Sequence, residues 1–224
     1  MVDILKSEIK LIEWQRIDKD LNDIIVQNSP TDGSSSWQNI YIGMSWQYCT
    51  LSDETKKNIQ IGNHDKLLLC SMSSNTDSRR RGSYKINREK IMNNLRKNGF
   101  TNLRLNAENY FNSLKNYKFI ISPKGNGIDC HRHYEALLSG CIPICEYNKK
   151  TKEKYKNLPI LYTTDYSEIT NDYLESKYQE MLNKDYNFEK LFVSYYNTKI
   201  QSKIYKQSEY WCNKLVGKSY YTSI

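Results

Sequence analysis

The sequence predicts an α/β fold of Rossmann-like type, a parallel sheet flanked by helices on both faces. Three observations carry this. Short runs of unbroken apolar residues recur over 67–70, 119–121 and 141–145. Stretches of helical periodicity separate them. Unbroken rather than alternating hydrophobicity is what strands need when both faces of their sheet are covered. Third, the loops that follow the first two runs are polar or glycine-bearing, and open α/β sheets bind ligands at the carboxyl ends of their strands.

The elements follow in order. Leu5, Ile9, Ile12 and Ile17 recur at loosely helical spacing and predict a helix over 4–25. Residues 28–36, from Asn28 through Pro30 and Gly33 to Ser36, form a loop by composition. Ile40, Tyr41, Ile42 and Gly43 read as a short strand between Trp37 and Trp46. Leu67 to Cys70 begins the regular part, and a polar loop over 71–82 follows. An amphipathic helix over about 85–98 ends at Gly99. Leu103 falls in a short strand. Ala107, Tyr110, Phe111 and Leu114 share one helical face. Phe119, Ile120 and Ile121 form the next strand, 129–139 a helix closed by Gly140, and 141–145 a further strand. A strand over 159–162, a helix over 170–183 and a mostly helical tail over 187–215 complete the chain.

Composition narrows the function. The chain has 224 residues, with 33 Lys and Arg against 25 Asp and Glu, a net charge of +8 that favours anionic partners. Aromatics at 12% exclude a disordered chain. No stretch approaches the roughly 20 apolar residues of a membrane span, and residues 1–14 carry too many charges for a signal peptide. The six cysteines show no C-x-x-C pair and read as reduced thiols of a cytoplasmic protein. Arg79, Arg80 and Arg81, with the lysines of 149–156 and the aromatics of the tail, raise a nucleic-acid partner as an alternative. Solvated surface and core packing account for them better.

The most informative segment runs from Phe119 to Ile144. Gly125 and Gly127 are expected to take positive φ and to let the backbone approach a ligand closely. The helix that follows offers free N–H groups and a positive dipole end, which suits a diphosphate, and Lys124 adds charge there. Cys130, Tyr134, Leu137, Leu138 and Cys141 form the buried stripe of this helix. Asp129, Arg132 and Glu135 share another face at intervals of three. Arg132 can fork onto phosphate oxygens. Glu135 can accept from two ribose hydroxyls, and Asp129 suits the helix N-cap. The bland alternative is a row of i,i+3 ion pairs on a solvated face.

The pattern Ser122-Pro-x-Gly125-x-Gly127-x-Asp129-x-x-Arg132-x-x-Glu135-Ala-Leu-x-x-Gly140-x-Ile-Pro-Ile144 resembles the core motif of exostosin-type glycosyltransferases and the wider GT-B donor-domain pattern. Similarity extends over about 67–183, from the strand and loop around Ser71, through Arg88, to the turn after Tyr162. The resemblance implies the C-terminal, donor-binding half of a GT-B fold. It implies transfer of a sugar from a UDP- or GDP-sugar to an acceptor hydroxyl, with no cofactor and no obligatory metal. Arg132 would neutralise the diphosphate leaving group and Glu135 would hold the ribose. Lys124, Gly125, Asn126 and Gly127 would hold phosphate or sugar, Asp129 and Ser71 would complete the donor site, and Arg88, or one of Arg79, Arg80 and Arg81, would bring a second positive charge to the diphosphate. His131, beside Arg132, is the candidate catalytic histidine. Gly127 stands where many such domains carry a second glutamate. Residues 66–224 are then the nucleotide-sugar-binding domain, and 1–65 a reduced acceptor-side region. The partners implied are the nucleotide sugar, a glycan or glycoprotein acceptor, and a partner chain supplying the acceptor half. A binding-only remnant is the alternative reading.

Overall fold

The computed structural model describes residues 23–25, 28, 40–45, 59–74, 76, 87–125 and 127–217, with backbone alone over 212–217. The expected N-terminal helix and the loop over 28–36 fall almost wholly outside these residues, as do Arg79, Arg80, Arg81 and Asn126.

Four parallel strands lie side by side in chain order: β1 (Lys66–Leu69), β2 (Tyr117–Ile121), β3 (Ile142–Glu146) and β4 (Leu161–Thr163). The register pairs Leu68 with Phe119, Phe119 with Ile142, and Ile144 with Leu161. The helices are α1 (Arg88–Lys97), α2 (Ala107–Leu114), α3 (His131–Leu138), α4 (Lys149–Lys154), α5 (Asn171–Leu182) and α6 (Thr198–Gly217).

The unbroken apolar runs do what the sequence requires of them, since successive side chains enter opposite layers. Leu69, Ile120 and Cys145 enter one core layer, with Tyr110, Phe111 and Leu114 of α2 and Tyr134, Leu137 and Leu138 of α3. Phe119, Ile121, Ile142, Ile144 and Leu161 enter the other, against Ile91 and Leu95 of α1 and Leu174, Tyr178 and Met181 of α5. Each fully buried large apolar side chain here contributes about 1.5–3 kcal/mol. Ile24, Ile25, Ile40, Tyr41 and Met44 join the first layer, so the early part of the chain packs directly on α3.

Local chemistry sets the helix ends. The side chains of Asn87, Asn106, Asn148 and Thr170 each accept a first-turn N–H, capping α1, α2, α4 and α5. Gly99 (φ +86°) and Gly140 (φ +68°) end α1 and α3. In each case the glycine N–H and the following N–H return to carbonyls of the last turn: Gly99 to Arg96 and Phe100 to Leu95, Gly140 to Leu137 and Cys141 to Ala136.

Three expectations change. Residues 40–43 form no strand. This segment is bonded to Ile25 and Asn28 through Met44 N–H to Ile25 O (2.7 Å) and Asn28 N–H to Ile42 O (2.7 Å). Leu103 is also not in a strand; one bond, from its N–H to Cys70 O, is too little to extend the sheet. The tail is helical only from Thr198, because Phe188–Leu191 and Val193–Tyr195 are single 3-10 turns. Among the described residues no helix is long and apolar enough to cross a membrane.

Candidate functional site

The loop from Ser122 to Cys130 leaves the carboxyl end of β2 and enters α3, beside the ends of β1 and β3. It is tied inward. Lys124 N–H donates to Glu146 Oε2 (3.2 Å) at the end of β3. Gly125 N–H is shared between Gly127 O (3.1 Å) and the Cys130 sulfur (3.2 Å). Neither Gly125 nor Gly127 takes positive φ, contrary to expectation. Space is what Gly125 supplies: a Cβ there would stand 3.3 Å from Arg88 Nη2.

Arg88 begins α1, is buried, and spends its guanidinium on the loop backbones. Nε donates to Lys124 O (3.2 Å), Nη1 to Ser73 O (3.2 Å) and Nη2 to Pro123 O (3.4 Å). The expected role on the diphosphate therefore gives way to fastening the β1 and β2 loops together. Ser71 lies buried just past β1, beside Met72, whose N–H and C=O are both held by the Asn102 amide.

The helix α3 departs most from its expected two-faced character. His133, Tyr134, Glu135, Ala136, Leu137 and Leu138 are all buried. The reason is residues 40–45, which cover the face carrying Asp129, His131 and Glu135. Ile42 N–H donates to Asp129 Oδ2 (3.2 Å) and Ser45 N–H to Glu135 Oε1 (3.2 Å), while His131 Nδ1 meets Gly43 O (2.8 Å). Gly43 sits at φ +77°, and a Cβ on it would lie 2.2 Å from Ile25 O, so no other residue fits.

Asp129 is not the N-cap. Cys130 is, without a side-chain cap bond. Asp129 instead forms a buried ion pair with Lys154 (2.7 Å) and accepts the Tyr155 hydroxyl at 2.6 Å. Glu135 is likewise withdrawn from the ribose role: it is 2% exposed, with Oε1 on Ser45 and Oε2 accepting from Tyr110 OH (3.4 Å).

Arg132 is the second residue of α3. Its guanidinium carbon lies 5.6 Å from the Tyr110 ring centroid, and its Nε is shielded from solvent without a hydrogen-bond partner among the described residues. Burial opposes its charge, but Tyr110, Glu135 and Cys130 outweigh burial and hold Arg132 above its ordinary range. Burial also pushes the Cys130 thiol up, against the pull of Arg88 and Arg132 on either side. Lys124 and Arg132 thus stand on the loop and the helix that follow the carboxyl end of β2, with Arg88 bonded to the loop backbone.

Sequence reasoning missed a second buried cluster. His133 Nδ1 meets Ser122 Oγ at 2.6 Å and the Cys145 sulfur at 3.4 Å, joining β2, β3 and α3. Only the i,i+2 spacing of His131 and His133 hinted that the two rings part company. Burial holds His133 down at about 4, with Asp129 opposing and Arg132 and Lys154 adding to the fall. Burial pushes Glu135 up to about 7, against the Ser45 N–H, Arg132 and Tyr110.

These two shifts act in opposite directions on stability. Unfolded histidine binds its proton near pH 6.5, whereas native His133 refuses it down to about 4, so stability falls as pH drops through that window. Native Glu135 keeps its proton up to about pH 7, above the unfolded carboxylate range, so its contribution is full at acid pH and is lost as pH rises through 7. Between roughly pH 4.5 and 6.5 the two offset each other. Glu135→Gln is expected to unmask His133: relative to wild type, the variant should lose about 1.4 kcal/mol per pH unit on acidification in urea titrations over this window. A difference that does not vary with pH would contradict a protonated native Glu135.

No known protein-family model matches the chain, and no curated protein matches it in sequence.

Proposed function

We propose that the chain binds a nucleotide sugar at the carboxyl edge of its sheet and transfers the sugar to an acceptor hydroxyl without a metal ion. The motif over 122–144 suggests the chemistry. The observation that carries the reading is the position of Arg132 in the first turn of α3, its Nε buried and without a hydrogen-bond partner among the described residues, just past a loop that carries Lys124. Such a group of fixed donors and cations stabilises the negative charge that develops on a departing diphosphate. It does so without reorganising during the reaction, because Arg88 and Glu146 already fix the loop.

The roles differ from those the motif alone suggests. Arg132 and Lys124 meet the diphosphate, with the first-turn amides of α3. Arg88 holds that loop. Asp129 and Glu135 hold residues 40–45 over α3 rather than ligand hydroxyls.

Thermal unfolding tests the reading. Saturating UDP, GDP, UDP-sugars and GDP-sugars are screened, and at 100 times Kd a true ligand stabilises by about 2.7 kcal/mol, which is several degrees in Tm. A melting temperature unmoved by every nucleotide and nucleotide sugar defeats the proposal. Salt-sensitive binding to random-sequence DNA in its place would favour a nucleic-acid partner.

A further inference from the structure

We infer that Glu135 regulates the Arg132 site through a proton: it takes one up when the donor diphosphate settles on Arg132, so donor binding weakens as pH rises above neutrality. The inference rests on the nucleotide-sugar reading above.

Three side chains form one cluster. Glu135 is only 2% exposed and stands three residues after Arg132 on α3, a spacing that makes neighbours of the two side chains. Tyr110 of α2 touches both. Its ring centroid lies 5.6 Å from the Arg132 guanidinium carbon, and its hydroxyl donates to Glu135 Oε2 (3.4 Å). The other carboxylate oxygen, Oε1, accepts Ser45 N–H (3.2 Å). Two neutral donors compensate only part of the cost of a buried charge. The Arg132 charge supplies further support for the carboxylate. Arg132 is not enclosed as Glu135 is. It is half-buried, and of its guanidinium nitrogens only Nε is shielded without a partner among the described residues.

The other titratable groups packed around α3 are engaged elsewhere or neutral. Asp129 is paired with Lys154. Residues 40–45 carry no charged side chain. His64 meets α3 further along, at Ser139 O (3.1 Å), and burial holds its ring below the ordinary range. Burial likewise keeps the Cys141 and Cys145 thiols of β3 protonated and His133 neutral. On the turn Phe188–Leu191, Glu189 is exposed and Lys190 donates to Lys156 O (2.8 Å).

A diphosphate on Arg132 brings negative charge to the cation that supports Glu135. The carboxylate loses that support and binds a proton more tightly. The coupling is reciprocal, so a protonated Glu135 favours the ligand. In the free protein burial already pushes Glu135 up to about 7, which puts the exchange near neutral pH. Below that point Glu135 is protonated with or without ligand, and affinity is flat. Above it the free protein releases the proton first, and affinity falls.

Isothermal titration calorimetry of UDP- and GDP-sugars over roughly pH 6 to 8.5 tests this, a window above the titration of the buried histidines. Both phosphates of a nucleotide sugar are diesters and hold their charge throughout, so the ligand contributes no proton. Runs in two buffers of unequal ionisation enthalpy count the protons taken up. Wild type is expected to take up a fraction of a proton just above neutrality and to bind about fivefold or more weakly at the alkaline end. Glu135→Gln can still accept from Ser45 and meet the Tyr110 hydroxyl. It should bind with the acid-side affinity of wild type at every pH and take up no proton. Wild-type affinity that does not vary with pH overturns the inference, as does equal proton uptake in Glu135→Gln. A wild type that binds no nucleotide sugar at any pH defeats the parent reading instead. Carbon-13 NMR of the glutamate carboxyls supplies a readout free of the variant's folding. Donor must move the Glu135 titration midpoint upward, and an unmoved midpoint overturns the coupling.

Discussion

Replacing Arg132 by alanine is expected to erase the Tm rise given by nucleotide sugars and to lower transfer by about 10²–10³-fold, the usual effect of removing one fixed donor from a developing oxyanion. The fold should survive. Arg132 is the second residue of α3 and stands over the Tyr110 ring, outside the apolar layer closed by Tyr134, Leu137 and Leu138. Glu135 adapts, because burial already favours its protonated form. Arg132→Lys should restore little. A planar guanidinium can stack on Tyr110 and fork onto phosphate at once, and an ammonium on a flexible stem cannot. Equilibrium binding of the best donor from the thermal screen, followed by calorimetry on both variants, decides the matter. Unchanged affinity in Arg132→Ala would remove the diphosphate from this turn.

The second large effect is on stability. Lys154→Met is expected to destabilise the protein by about 3–5 kcal/mol, because it strips the partner from a buried carboxylate. The Lys154 and Asp129 side chains are only 4% and 9% exposed at 2.7 Å separation. Lys154 also donates to Ile40 O (2.9 Å), so the same change loosens residues 40–45. Pairing it with Asp129→Asn should recover part of the loss, since the uncompensated charge disappears. By contrast Lys118→Met, which breaks a pair with a half-exposed Glu175, should cost under about 1 kcal/mol. Urea unfolding of the four proteins measures this. A Lys154→Met loss no larger than that of Lys118→Met would show that the pair is not desolvated.

Much of the scaffold was legible because its causes are local. Leu69, Ile120 and Ile144 lie in strands whose unbroken hydrophobicity reports two covered faces, and they do enter layers on both sides. Gly99 and Gly140 marked helix ends because only a left-handed residue closes those turns without strain. Asn126 lies outside the described residues, so the glycine loop is tested only through its neighbours. The same local logic failed at Gly125 and Gly127, neither of which makes a left-handed turn; Gly125 leaves room for Arg88, and a Cβ at Gly127 would meet only ordinary contacts.

The site was legible in composition and not in assignment. The row Asp129, Arg132 and Glu135 gave the helix face that matters, but not which of the three looks outward. That depends on residues far away in the chain: Ser45 reaches Glu135 across 90 positions, Ile42 reaches Asp129 across 87, and Gly43 reaches His131 across 88. Their donors and acceptors are backbone groups, which every residue carries, so no side-chain pattern announces them.

By itself, then, the sequence determined the α/β architecture, the four strands of the sheet, the glycine-bearing loop and the helix that follows it. Periodicity, capping residues and apolar runs act over a few neighbours, and neighbours are what a sequence displays. Only the tertiary structure decided that Asp129 and Glu135 serve residues 40–45, that Arg88 serves the loops, and that Arg132 and His131 each keep a buried nitrogen without a partner among the described residues. Those outcomes follow from which backbone N–H and C=O groups fold over α3, and desolvation then sets the charge states of what they cover.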